Sequence, residues 1–122
     1  MRLFNRNDFL VLPEGTIYSR FGTTADPFAG LYLKCSGPEM GSDWIEQDLI
    51  GQLKFPDGVV DGFEANEIVV SQLESYQDFS TDLDCAGRDG CFDDSDKFVV
   101  WNRTDVENLR NLLNEVLSGP AY

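Results

Sequence analysis

The chain has 122 residues, 42% of them apolar, and a net charge of −13 from 22 acids against nine bases, with no histidine at all. The length suits one domain, 1–122, large enough to bury a core without staples. The composition excludes a basic nucleic-acid face, a His-activated nucleophile and a His-ligated metal.

Asn5 or Asn7 can cap a short helix carrying Phe9, Leu10 and Leu12, which Pro13 and Gly15 end. Residues 16–21 read as a strand, with Ile17 and Ser19 opposite Tyr18 and Arg20. After a loop from Gly22 to Gly30, residues 31–35 form a second strand with Leu31, Leu33 and Cys35 on one face. Asp43 to Leu53 is ambiguous: Asp43 and Glu46 resemble a capping box, but Trp44 and Ile45 suit a sheet, and the first half leans towards strand. Glu64 to Tyr76 is expected to be a helix with Val69, Leu73 and Tyr76 inward. Phe79 to Asp96 is rich in Asp and Gly without periodicity, the mark of a long acidic loop.

The last third is the most legible. Residues 98–101 are a continuous apolar run that suits a strand buried on both faces. Thr104 with Glu107 reads as a capping box, and Asp105 adds a favourable charge at the same helix end. Val106, Leu109, Leu112, Leu113, Val116 and Leu117 recur at helical spacing, and Ser118-Gly119-Pro120 stops the helix. The sum is an α+β fold: a small, mainly antiparallel sheet packed against a C-terminal helix through Leu109, Leu113 and Val116, with a long acidic loop.

Cys35, Cys85 and Cys91 are an odd set; a Cys85–Cys91 bridge is sterically conceivable, but three thiols are expected in a reducing cytosol. The first eight residues lack the apolar stretch of a secretory leader, and no run approaches the ~20 apolar residues that span a bilayer. The expectation is a soluble, cytoplasmic protein with no membrane partner and no direct nucleic-acid contact.

No phosphate-binding loop or dinucleotide fingerprint is present, so no cofactor and no enzymatic activity are expected. Asp82, Asp84 and Asp93 fall where an EF-hand-like loop would place cation ligands, yet Ala86 stands where a ligand is wanted and the segment runs on into a strand. Asp93 and Asp94 could form an acid/base pair, though adjacent acids beside glycine are more often turn residues. No metal requirement is expected. Trp44, Trp101, Phe21, Phe28 and Tyr32 could line a ligand pocket, with Arg20, Lys34, Arg88 or Arg103 lending positive charge to hold a nucleotide; the same aromatics equally make a core.

Charge distribution is the sharper signal. Residues 55–96 hold twelve acids against Arg88 alone, a net −11. Asp78, Asp82, Asp84, Asp89, Asp93, Asp94 and Asp96 are therefore the candidate partner-binding residues. Such a field attracts basic surfaces, and carboxylates can imitate phosphates, which lie ~3.4 Å apart along one DNA strand. The plainer reading is that the acids only keep the protein dissolved.

Asn7 to Tyr18 resembles the opening of small uncharacterised proteins encoded by phages and prophages, and Gly87 to Asp94, running into residues 98–101 and the last helix, resembles their ending. The resemblance covers about half the chain. It implies a phage or mobile-element accessory protein and supplies no activity; set beside the acidic segment, it raises the expectation of an anti-defence protein, of anti-CRISPR type among others, that binds the basic surface of a host nucleic-acid-handling protein. It carries over no catalytic residue.

Overall fold

The computed structural model describes residues 1–22, 27–53, 62–76, 80–84, 86–88 and 93–120. Among the described residues eight strands and three α-helices follow in order: β1 (Arg2–Asn5), α1 (Arg6–Leu10), β2 (Ile17–Arg20), β3 (Ala29–Lys34), β4 (Ile45–Asp48), β5 (Gln52–Leu53), α2 (Gly62–Glu74), β6 (Thr81–Asp82), β7 (Gly87–Arg88), β8 (Lys97–Trp101) and α3 (Arg103–Ser118). Six strands make an antiparallel sheet in the order β1-β8-β2-β3-β4-β7, and β5 pairs with β6 in a separate two-stranded ribbon. The α+β expectation holds, and the doubtful segment after Asp43 is strand.

Alternation along each strand divides the sheet into two faces. Phe4, Phe98, Val100, Tyr18, Tyr32, Lys34 and Glu46 share one face by register. Leu3, Val99, Trp101, Ile17, Ser19 and Leu33 share the other. The first face meets α1. Asn5, the last residue of β1, is also the helix cap: its side chain accepts from the Asp8 N–H at 2.8 Å. Strand and helix therefore join without a linker, and Phe9 turns back onto the sheet. Phe9, Tyr18, Trp44 and Phe98 are fully buried there, with ring centroids 4.2 Å apart for Phe9 and Phe98 and 4.7 Å for Phe9 and Tyr18.

Lys34 completes this core from the middle of the sheet. Its ammonium is fully buried and donates to three carbonyl oxygens that follow the turns of α1: Phe9 at 3.2 Å, Leu10 at 3.0 Å and Leu12 at 2.6 Å. A five-residue helix cannot hold itself together in water. A cation against its C-terminal carbonyls satisfies groups that would otherwise be orphaned and complements the helix dipole. Burial pulls the Lys34 pKa below its ordinary value, with Glu39 acting the other way, and the three oxygens favour the protonated form.

Several local expectations change. The α3 capping box is Asn102 with Asp105, two residues earlier than the Thr104 and Glu107 pair. The helix starts as soon as β8 ends, and Glu107 is engaged with Arg103 at 2.8 Å instead. Only the first turns of α3 approach the sheet, where Val106 and Leu109 are half-buried. Leu113 and Val116 are each 53% exposed, so the expected packing through them is not made, and Leu113 is not a core residue within one chain. In α2 only Val69 of the expected inward trio is buried; Leu73 is exposed, and Tyr76 lies beyond the helix end with φ 59°, which swings it off the helical face. Residues 79, 85 and 89–92 of the 79–96 segment lie outside the described residues, and β6 and β7 occupy part of the rest.

Replacing Lys34 by Met keeps the stem and removes the donor, stranding three carbonyls. Urea denaturation should show a loss of about 2–4 kcal/mol; a change under ~0.5 kcal/mol would mean water replaces the ammonium without cost.

Candidate functional site

The nominated carboxylates fall into two described groups. Asp82 and Asp84 sit on the β5–β6 ribbon, where the Asp82 side chain accepts from the Asp84 N–H at 2.9 Å. The ribbon reaches the sheet through Gly51, whose φ of +78° turns the chain after β4. A Cβ on Gly51 would stand 2.6 Å from Thr81 Cγ2 and 2.8 Å from the Asp82 carbonyl oxygen, so only glycine lets the two strands close.

Asp93, Asp94 and Asp96 form the turn that enters β8. Asp93 accepts from the Ser95 hydroxyl at 2.7 Å and the Ser95 N–H at 2.9 Å. Those bonds hold its carboxyl below the usual range, so its charge persists in mildly acidic solution. Asp94 is exposed. Asp96 lies 3.8 Å from the buried Arg6 guanidinium, which also donates to the Ser42 carbonyl at 2.9 Å and stacks over Trp44 at 4.8 Å. Asp96 is thus partly a structural residue. Asp78 and Asp89, and the Cys85–Cys91 pair, lie outside the described residues. Among the described residues no cluster of three metal-ligating side chains forms, so Asp82, Asp84 and Asp93 are not gathered.

The cations are disposed in the opposite way. Arg6 and Lys34 are buried. Arg20 pairs with Glu46 at 2.8 Å, Arg88 with the buried Asp43 at 2.7 Å, and Arg103 with Glu107. Three of the four bases expected to help hold an anion, namely Arg20, Lys34 and Arg88, are committed to the frame. Sequence pattern could not signal this, because a lysine on a strand reads as solvent-facing.

The aromatic set is dispersed too. Trp44 is core, Tyr32 packs against the core, and Phe28 is 48% exposed. Trp101 alone lines a groove of about 460 Å³ between the start of α3 and β2, with Thr16, Ile17, Val106, Arg103 and Arg110. Its indole N–H donates to Ser19 at 3.1 Å, which fixes the ring. Arg110 was not foreseen at this place; its position one turn past Val106 on α3 was the available signal. Cys35 is a free thiol, and burial pushes its pKa up, away from reactivity.

One polar network ties the sheet centre together. Tyr18 donates its hydroxyl to Glu46 in a short contact and accepts from the Trp44 indole N–H at 2.8 Å, while Arg20 spans Tyr32 and Phe98. Burial first, then the Glu46 carboxylate, drives the Tyr18 pKa far above its ordinary value near 10. A raised pKa means that the unfolded chain loses this proton first, so stability is intact below about pH 10 and falls as pH rises further. Tyr18→Phe should flatten that alkaline loss in denaturation midpoints measured between neutral and strongly basic pH. An unchanged slope would place the titrating group elsewhere.

Among the described residues no helix is long and apolar enough to cross a membrane. The chain matches no known protein-family profile, no curated protein and no solved structure.

Proposed function

We propose that this chain is a binding protein whose acidic surface engages a basic surface on another protein. The observation that carries the reading is the separation of charge. Five of the nine bases are buried or ion-paired, whereas Asp84, Asp93 and Asp94 stand exposed and Asp82 is half-buried. A partner therefore meets carboxylates with few cations to offset them, and the field steers a basic surface inward. Together with the phage-like sequence pattern, this favours an accessory or anti-defence protein that occupies the nucleic-acid channel of a host protein and inhibits it. Catalysis is not part of the reading.

The test uses Asn, which preserves the turn-forming oxygen at Asp82 and Asp93 while removing charge. The fourfold Asp→Asn variant at 82, 84, 93 and 94 should associate more slowly and lose most of the salt dependence in a pull-down from host lysate followed by binding kinetics. Equal capture of the same partner by both proteins at low and moderate salt would reduce the acidic surface to a solubility device.

A second reading rests on the Trp101 groove. Arg110 beside a fixed indole, in a groove that also holds the Arg103–Glu107 pair, suits a small aromatic anion such as a nucleotide. Titration with nucleotides should then quench tryptophan fluorescence in the wild type and not in Arg110→Gln; a flat titration in the wild type removes this reading.

A further inference from the structure

Among the described residues, the second half of α3 is an apolar surface with no counterpart. No residue of the helix is buried, and Leu112, Leu113, Val116 and Leu117 are 53–75% exposed. Trp101 supports the first turns, with the 460 Å³ groove on one side and a shallower one of about 330 Å³, lined by Met1, Leu109 and Leu112, on the other. Beyond them the helix overhangs. Unpacked turns of this length are marginal in water, and four large apolar side chains on one stripe favour a covering.

We propose that the overhanging turns dock a second copy of this chain, helix against helix and antiparallel. Charge selects that occupant. Residues 97–122 carry three bases and three acids, and between Asn111 and Pro120 the only charged side chain is Glu115. In a chain of net −13 this is a neutral surface, where two like-charged copies can meet without opposing fields. An anionic lipid surface is disfavoured because the polar side of α3 offers only Arg103 and Arg110, balanced by Asp105, Glu107 and Glu115. A basic protein gains nothing here that the acidic segment does not offer better.

Charge also selects the direction. Parallel pairing would bring the two negatively charged bodies, residues 1–96 of each copy, side by side. Antiparallel pairing on the last turns puts them at opposite ends of the helix pair. Sixteen residues of helix span about 24 Å, and the Debye length at physiological salt is about 8–10 Å, so the repulsion is screened. A two-fold axis between Leu113 and Val116 sets the same four residues of each copy against one another, as an isologous interface requires.

Sedimentation equilibrium of the full chain across a dilution series tests this. The expected result is twice the 13.7 kDa chain mass at high concentration, falling to the chain mass on dilution. Raising salt from about 10 mM to physiological strength should tighten the association, because the repulsion between the copies is unscreened only at low salt, whereas binding to a basic partner should weaken. Leu113→Glu with Leu117→Glu should weaken self-association about tenfold or more with an unchanged circular dichroism spectrum. Leu112→Gln with Val116→Gln should do the same if the first pair perturbs the helix. The fourfold Asp→Asn variant should still pair, which separates this surface from the acidic one. A chain mass throughout the series, association that survives both apolar pairs, or association weakened by salt would each overturn the proposal.

Discussion

A single buried ammonium organises the N-terminal half of this fold. Lys34 lies in a central strand, yet its side chain runs through the core to close the end of a helix too short to persist alone. That helix delivers Phe9, and Phe9 touches Tyr18, Trp44 and Phe98 at once. Remove the cation and the plug over the sheet loses its anchor, with the aromatic centre opened behind it. A buried charge is normally a burden, but three oxygens aimed at it and a flanking ring 5.1 Å away make it structural.

Arg6, Arg20 and Arg88 repeat the theme at other seams. Arg6 ties α1 to the segments around Ser42 and Asp96, Arg20 joins β2 to β4, and Arg88 fixes the short β7 to the buried Asp43. Basic side chains serve here as internal fasteners. The acids on the ribbon and on the turn before β8 are thereby left to define the outer field, so the frame and the proposed interface follow from one allocation of charge.

Some of this was legible before any coordinates. Strands around Ile17, Leu31 and Phe98 were visible because alternation and apolar runs report burial directly. The final helix was visible because Val106, Leu109, Leu112, Leu113, Val116 and Leu117 keep a strict stripe. What the stripe could not report is its partner: periodicity says that a face is apolar, and is silent on whether the same chain covers it. β1 was missed because Arg2-Leu3-Phe4-Asn5 is short and its pairing partner lies at the far end of the sequence. The cap at Asn102 was missed because Thr104 and Glu107 offered the same spacing, and only the end of β8 decides between them. Among the candidate residues, the exposure of Asp84 and Asp94 could be guessed, while the half-buried role of Asp96 beside Arg6 depends on a contact ninety residues distant in sequence.

The place of β8 in the sheet has a consequence for how the chain folds. It is the last strand made, and it lies between β1 and β2, with Arg2 opposite Val100 and Ile17 opposite Trp101. The β2–β3–β4 meander can zip locally, but β1 has no neighbour until residues 97–101 arrive. Closing so long a loop precedes the contacts that reward it, which sets a slow, cooperative final step. On the ribosome the N-terminal strand must wait, unpaired, until residues 97–101 have been synthesised, while α1 already finds Lys34 and the meander.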